Sequence, residues 1–247
     1  MLLGCVTASS LHAATILYAN IPGSDLNLAT GDGNPGVTTL TATINDPFVI
    51  LPTGNNVTVF LTGLQYPFAG DLQATLTLLV GGNPVASADI FNRIGKASGD
   101  PNDFGYATQF GSSITINSGD FAFNSGFTGP FADLWNTAAG LGSSDSIPSG
   151  NYWTTTAFSS NPDTLSSDFN GLPVAGTWQL QILDYEVPPD SPSPPGLLAW
   201  SLQFNTVDAT VPEPATSATF ALGLAALIFA IRRNRARSSP ASRPPTQ

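Results

Sequence analysis

The chain is poor in the residues on which most catalytic chemistry depends. Its 247 residues include one cysteine (Cys5), one histidine (His12) and one lysine (Lys96), and only 10% are charged. A lone cysteine excludes an intrachain disulfide framework. With cysteine and histidine confined to the first dozen residues, the remainder offers no Ser-His-Asp triad, no Cys-His pair and no ordinary zinc site. Glutamate occurs only at Glu186 and Glu213, and no carboxylate pair stands out for glycosidase chemistry, which needs two such groups facing one bond. Lys96 lies in a Gly/Ser run with no evident desolvating surround, which argues against a Ser-Lys nucleophile system. The run "GDGNPG" (Gly31–Gly36) lacks the Lys-Ser/Thr of a phosphate-binding loop. We expect a protein that is not an enzyme.

Positive charge is missing from most of the length. Before Arg232 there are two basic residues against 17 acidic ones, a formal −15, whereas the five arginines after Ile231 give +5. Nucleic-acid affinity rests on cationic contacts to phosphate, so nucleic acid is excluded as a partner.

What the chain does have is apolar content and turns. Apolar residues make up 42%, and 24 glycines and 21 prolines occur without a Gly-X-Y period, which favours a turn-dense β protein over collagen. The length suffices for one large all-β domain or two small ones. Period-two alternation marks "VTTLTATI" (Val37–Ile44), "NVTVFLTGL" (Asn56–Leu64), "DLQATLTLLV" (Asp71–Val80) and "TWQLQILDY" (Thr177–Tyr185). The segments "SITIN" (Ser113–Asn117) and "LAWSLQFN" (Leu198–Asn205) read the same way. Between them lie the turn clusters "TGDGNPG", "PTGN", "VGGNP" and "SGDPNDFG".

No helical periodicity is sustained, although "FADLW" (Phe131–Trp135) suits one helical turn. The expected fold is all-β, a jelly-roll-like β-sandwich over residues 15–209 with an irregular insertion around 126–173. Trp178 and Trp200 sit in strands and suit the core, where each indole N–H needs a partner. Trp135 and Trp153 fall in the irregular stretch. Packing is the preferred role for them, with sugar stacking as the alternative.

The two ends read differently from the body. "MLLGCVTASSLHAA" (residues 1–14) has the apolar run and small-residue end of a signal peptide, with cleavage expected near Ala13 or Ala14. Its missing basic n-region points to a start codon further upstream, and "LLGC" offers a lipoprotein box at Cys5 as an alternative. At the other end, Ala215–Ile231 is 17 residues without a charge, just enough for a helix to cross a hydrocarbon core of about 30 Å. Arg232, Arg233, Arg235 and Arg237 follow at once and should stay cytoplasmic, leaving the acidic body outside. A buried helix of a soluble domain is the alternative. Residues 238–247 are polar and Pro-rich, a composition expected to be disordered.

Two acidic loops suit a calcium ion, which takes six to eight oxygen ligands. One offers Asp100, Asn102 and Asp103, the other Asp184, Glu186 and Asp190. Neither has EF-hand spacing, and a solvated Asx turn explains the same residues.

Two family resemblances attach to these residues. "VPEP" (Val211, Pro212, Glu213, Pro214), the apolar span and "RRNRAR" together resemble the PEP-CTERM sorting signal of Gram-negative bacteria. That resemblance implies recognition and removal of residues 210–237 by an exosortase, a membrane enzyme, after transient residence in the inner membrane. It further implies a cell-surface or extracellular destination and an association with extracellular polysaccharide or biofilm.

"GTWQLQILD" (Gly176–Asp184) and "GLLAWSLQF" (Gly196–Phe204), with "YPFAGDLQATLTLL" (Tyr66–Leu79) and "FNRIGKASGDPNDFG" (Phe91–Gly105) upstream, resemble the P or Homo B domain. Tyr66 stands where that family often has histidine. This second likeness implies a β-sandwich of the kind appended to subtilisin-like proteases. It leaves open a role beside such a protease supplied in trans, or as a calcium-dependent carbohydrate-binding module.

Overall fold

Alternating side chains become a fold when strands stack their apolar faces on one another. The computed structural model describes residues 13–27, 35–96, 105–111, 119–129, 132–143, 145–156, 158–161, 165–185 and 195–208. All of them belong to the unit His12–Asp208; the chain's other unit combines Met1–Leu11 with Ala209–Gln247.

In chain order the described strands are Ala13–Asp25 (β1), Gly36–Ile44 (β2), Phe48–Ile50 (β3), Val57–Thr62 (β4), Leu72–Val80 (β5) and Asn83–Asn92 (β6). They continue with Gln109–Phe110 (β7), Asp120–Phe123 (β8), Ser146–Ile147 (β9), Gly150–Tyr152 (β10), Gly176–Asp184 (β11) and Gly196–Asp208 (β12). Two short helices are Leu134–Ala139 (α1) and Leu165–Phe169 (α2).

The strands form two principal sheets. The first runs β1-β12-β4-β8-β10, with β3 also on β12, and only its β8–β10 pair is parallel. The second runs β2-β11-β5-β6 and is antiparallel throughout. β7 and β9 make a separate parallel pair.

Alternate residues of the central strands meet between the sheets. Val57, Val59 and Leu61 of β4 and Trp200, Leu202 and Phe204 of β12 are buried from one side, and Trp178, Leu180 and Ile182 of β11 from the other. They belong to one continuous core. The Trp178 ring lies 4.8 Å from Phe204 of the opposite sheet and 5.1 Å from Phe169 of α2. Its indole N–H donates to the Val174 carbonyl at 2.9 Å. Trp200 is equally buried, but its N–H has no hydrogen-bond partner among the described residues. Trp135 is buried too, whereas Trp153 is half-buried and donates to the Ser160 carbonyl at 3.1 Å.

The alternating segments read from sequence correspond to β2, β4, β5, β11 and β12, while Ser113–Asn117 lies outside the described residues. β1 and β6 were not among them: β1 is largely solvent-facing, and β6 is exposed in its first half and buried only toward Asn92, so neither alternates along its whole length. As an edge strand, β6 also tolerates Pro84, which has no N–H to give a ladder.

The stretch 126–173 is built into the core. It supplies β10 beside β8 and buries Leu134, Trp135, Leu165 and Phe169. The turn expected at "FADLW" is the start of α1. There Asp133 is the N-cap, its side chain accepting the Asn136 N–H at 3.0 Å. Among the described residues no helix is long and apolar enough to cross a membrane; the span expected at Ala215–Ile231 lies outside them.

Candidate functional site

Polar side chains concentrate where β11 ends and β5 begins. Asp184, the last residue of β11, is in phase with Trp178, Leu180 and Ile182, so strand geometry turns it inward. It is 1% exposed, and its Oδ1 accepts the Tyr66 hydroxyl at 2.5 Å. Tyr66 is fixed by its backbone, which exchanges two 2.9 Å hydrogen bonds with Phe110. Asp71, buried at the end of the 3-10 turn Ala69–Asp71, offers its carbonyl to the Tyr185 N–H at 3.0 Å.

A second tier covers this pair. The Arg93 guanidinium lies 4.7 Å above the Tyr185 ring, and Arg93 Nε donates to the Gly70 carbonyl at 3.3 Å. The Tyr185 hydroxyl donates to Gln73 Oε1 at 2.8 Å. Gln73 Nε2 and Thr75 Oγ1 both donate to Asp89 Oδ1, at 3.1 and 2.9 Å, and Asn92 Nδ2 donates to Asp89 Oδ2 at 2.8 Å. Burial raises the Tyr185 hydroxyl above its usual pKa, the Asp89 carboxylate adding to the effect and Arg93 opposing it. Lys96, expected in a solvated Gly/Ser run, is instead buried at the edge of this cluster.

The described residues on either side of 97–104 are bonded tightly to one another. Tyr106 N–H donates to the Ile94 carbonyl at 2.8 Å, and Gly70 N–H to the Tyr106 carbonyl at 3.0 Å. Gly95 and Gly105 have φ of +84° and +73°, and a Cβ on them would sit 2.4 Å from the Tyr106 ring and 2.6 Å from the Ile94 oxygen. Only glycine fits either place.

Of the six residues proposed as calcium ligands, Asp184 alone is described; Asp100, Asn102, Asp103, Glu186 and Asp190 lie outside the described residues. Among the described residues no three His, Cys, Asp or Glu side chains are grouped to hold a metal ion. What this arrangement does is tie the end of β11, at Asp184 and Tyr185, to Tyr66, Asp71 and Gln73. The Tyr66–Asp184 bond was not foreseen, although the inward phase of Asp184 on β11 was legible.

Removing that hydroxyl weakens a buried acceptor's bonding. Tyr66→Phe is expected to destabilise the fold by about 1–3 kcal/mol, read as a lower urea midpoint at unchanged m-value. A midpoint equal to wild type would show the bond contributes nothing.

The two terminal segments attach to neighbouring strands. Ala13 and Ala14, at the expected signal-peptide cleavage point, open β1 and pair with Val207 and Thr206 near the end of β12. Thr206 Oγ1 donates to the Ala14 carbonyl at 3.1 Å. Val211, Pro212, Glu213 and Pro214 follow β12 within a few residues, and they and Arg232, Arg233, Arg235 and Arg237 lie outside the described residues.

Comparison with known proteins bears on that last segment. No curated protein matches the chain. The crystal structure of the Aeromonas sobria serine protease and chaperone complex aligns at 12% identity and a TM-score of 0.34, over 81% of this chain and 27% of that one. A likeness at that score carries no argument for fold or activity. Residues 210–235 match the PEP-CTERM protein-sorting motif, which implies an exported protein, sorted to the cell surface and processed by an exosortase.

Proposed function

We propose that this is a non-enzymatic exported protein whose β-sandwich serves a structural or adhesive role in extracellular polysaccharide. The match of residues 210–235 to the sorting motif carries the reading. In it, Ala215–Ile231 spans the inner membrane until an exosortase removes the segment, with Arg232, Arg233, Arg235 and Arg237 on the cytoplasmic side. The acidic body, free of histidine and cysteine from Ala13 onward, lies beyond the lipid. A P-domain-like sandwich is compatible with this: of the four segments that carry the resemblance, Gly176–Asp184 is β11 and Gly196–Phe204 opens β12.

Protease protection tests the topology. An epitope inserted between Gly81 and Gly82, an exposed turn where an added side chain meets nothing within 4 Å, should be tolerated. Protease added to spheroplasts is expected to destroy the epitope signal. A protected pool in the cytosolic fraction would overturn the proposal.

A further inference from the structure

The outer face of the first sheet carries a hollow that none of the reasoning above uses. Phe60 of β4, Ala122 of β8 and Asn151 of β10 stand in register across three strands. At about 4.8 Å between strands, the backbones carrying Phe60 and Asn151 are roughly 10 Å apart. The small Ala122 between them leaves a floor, continued by Gly150. Phe60 is half-buried and forms one wall; Asn151 is exposed and forms the other.

One end of the trough is polar. There Thr62 pairs with Asp120. Asp120 is held in place, its Oδ1 accepting the Gly63 N–H at 3.0 Å and its backbone N–H donating to Ser149 Oγ at 3.0 Å. In the next row along β4 and β8, outside the hollow, Asn124 Nδ2 donates to Thr58 Oγ1 at 2.9 Å and to the Val57 carbonyl at 2.8 Å. The hollow measures about 210 Å³ and opens to solvent. Whole-ligand pockets run to roughly 300–1,000 Å³, so this one suits a single unit of a larger molecule.

Its walls define the chemistry of that unit. An aromatic face opposite an amide, with a hydroxyl and a carboxylate at one end, matches a group that is apolar on one side and ringed with hydroxyls. Amide and hydroxyl groups both donate and accept, whereas a carboxylate oxygen accepts from a hydroxyl. Among the described residues no cation lines the hollow, and a chain of net charge −10 disfavours an anionic unit. We propose that the trough is a subsite for one uncharged hexose unit of a polysaccharide, stacked on Phe60 and hydrogen-bonded by Asn151, Thr62 and Asp120. The inference rests on the extracellular-polysaccharide reading and names the surface that performs it.

Affinity electrophoresis of the full-length protein through gels containing dextran, galactan or mannan tests the assignment. A zwitterionic detergent keeps the C-terminal segment soluble without offering sugar headgroups to the trough. At least one of the three polymers is expected to retard wild type. Asn151→Ala, which alters an exposed side chain, and Ala122→Leu, which fills the floor, should each weaken that retardation about tenfold, the equivalent of 1.4 kcal/mol. Thr41→Val, on the exposed face of the other sheet, should leave it unchanged. Retardation that survives both trough variants overturns the subsite and leaves the polysaccharide association standing. Absence of retardation by all three polymers overturns both, while normal exosortase-dependent processing would keep the sorting assignment intact.

Discussion

Replacing Pro212, Glu213 and Pro214 together by alanine is expected to leave the chain uncut and membrane-bound in cells that process the wild type completely. These residues open the segment that matches the sorting motif. Proline lacks an N–H and disfavours helix both at its own position and at the residue before it. Alanine, the strongest helix former, would let the helix expected at Ala215–Ile231 extend backward over these residues. The substitution also removes the only carboxylate within residues 210–235, Glu213. Sites built around a polar group reject analogues lacking it by roughly 10⁴–10⁵, and even a small part of that factor would abolish cutting within a generation. Immunoblots should show the precursor accumulating in the membrane fraction, as they should for wild type in cells without exosortase. Glu213→Gln separates the charge from the backbone effect. Wild-type processing of the triple variant would remove the motif's role.

The second large effect is expected at Trp178. Its ring is fully buried and joins the two sheets through Phe204, and its N–H satisfies the Val174 carbonyl. Trp178→Ala leaves a cavity between the sheets and an orphaned acceptor, a loss of about 3–5 kcal/mol. Domains are stable by only about 5–15 kcal/mol, so the variant should sit near the edge of folding. For a domain of this size each kcal/mol lowers Tm by about 2–4 °C, which thermal unfolding followed by circular dichroism will resolve. Trp178→Phe should recover part of the loss. Leu198→Ala, at a residue 54% exposed, should stay within about 0.5 kcal/mol of wild type. A loss below about 1 kcal/mol at Trp178 would contradict its place as the tie between the sheets.

Read along the chain, Trp178, Leu180, Ile182 and Asp184 already share one face of a strand, because side chains alternate with period two. Period two says which residues face the same way and nothing about which strand lies opposite. Asp184 was therefore grouped with its sequence neighbours Glu186 and Asp190, while its actual bond is to Tyr66, 118 residues away. Nothing local to Ala122 distinguishes it; the pairing of β8 with β4 and β10 places Phe60 and Asn151 on either side of it.

The linear chain by itself determined the β character, the charge asymmetry between body and tail, the scarcity of cysteine, histidine and lysine, and the sorting segment. Each is local or compositional, carried by residues within one strand or one short run. Strand order, the Tyr66–Asp184 bond and the trough over Ala122 were decided only by tertiary structure. They arise from pairings between distant segments, and those are chosen by how the whole set of apolar faces can be buried at once.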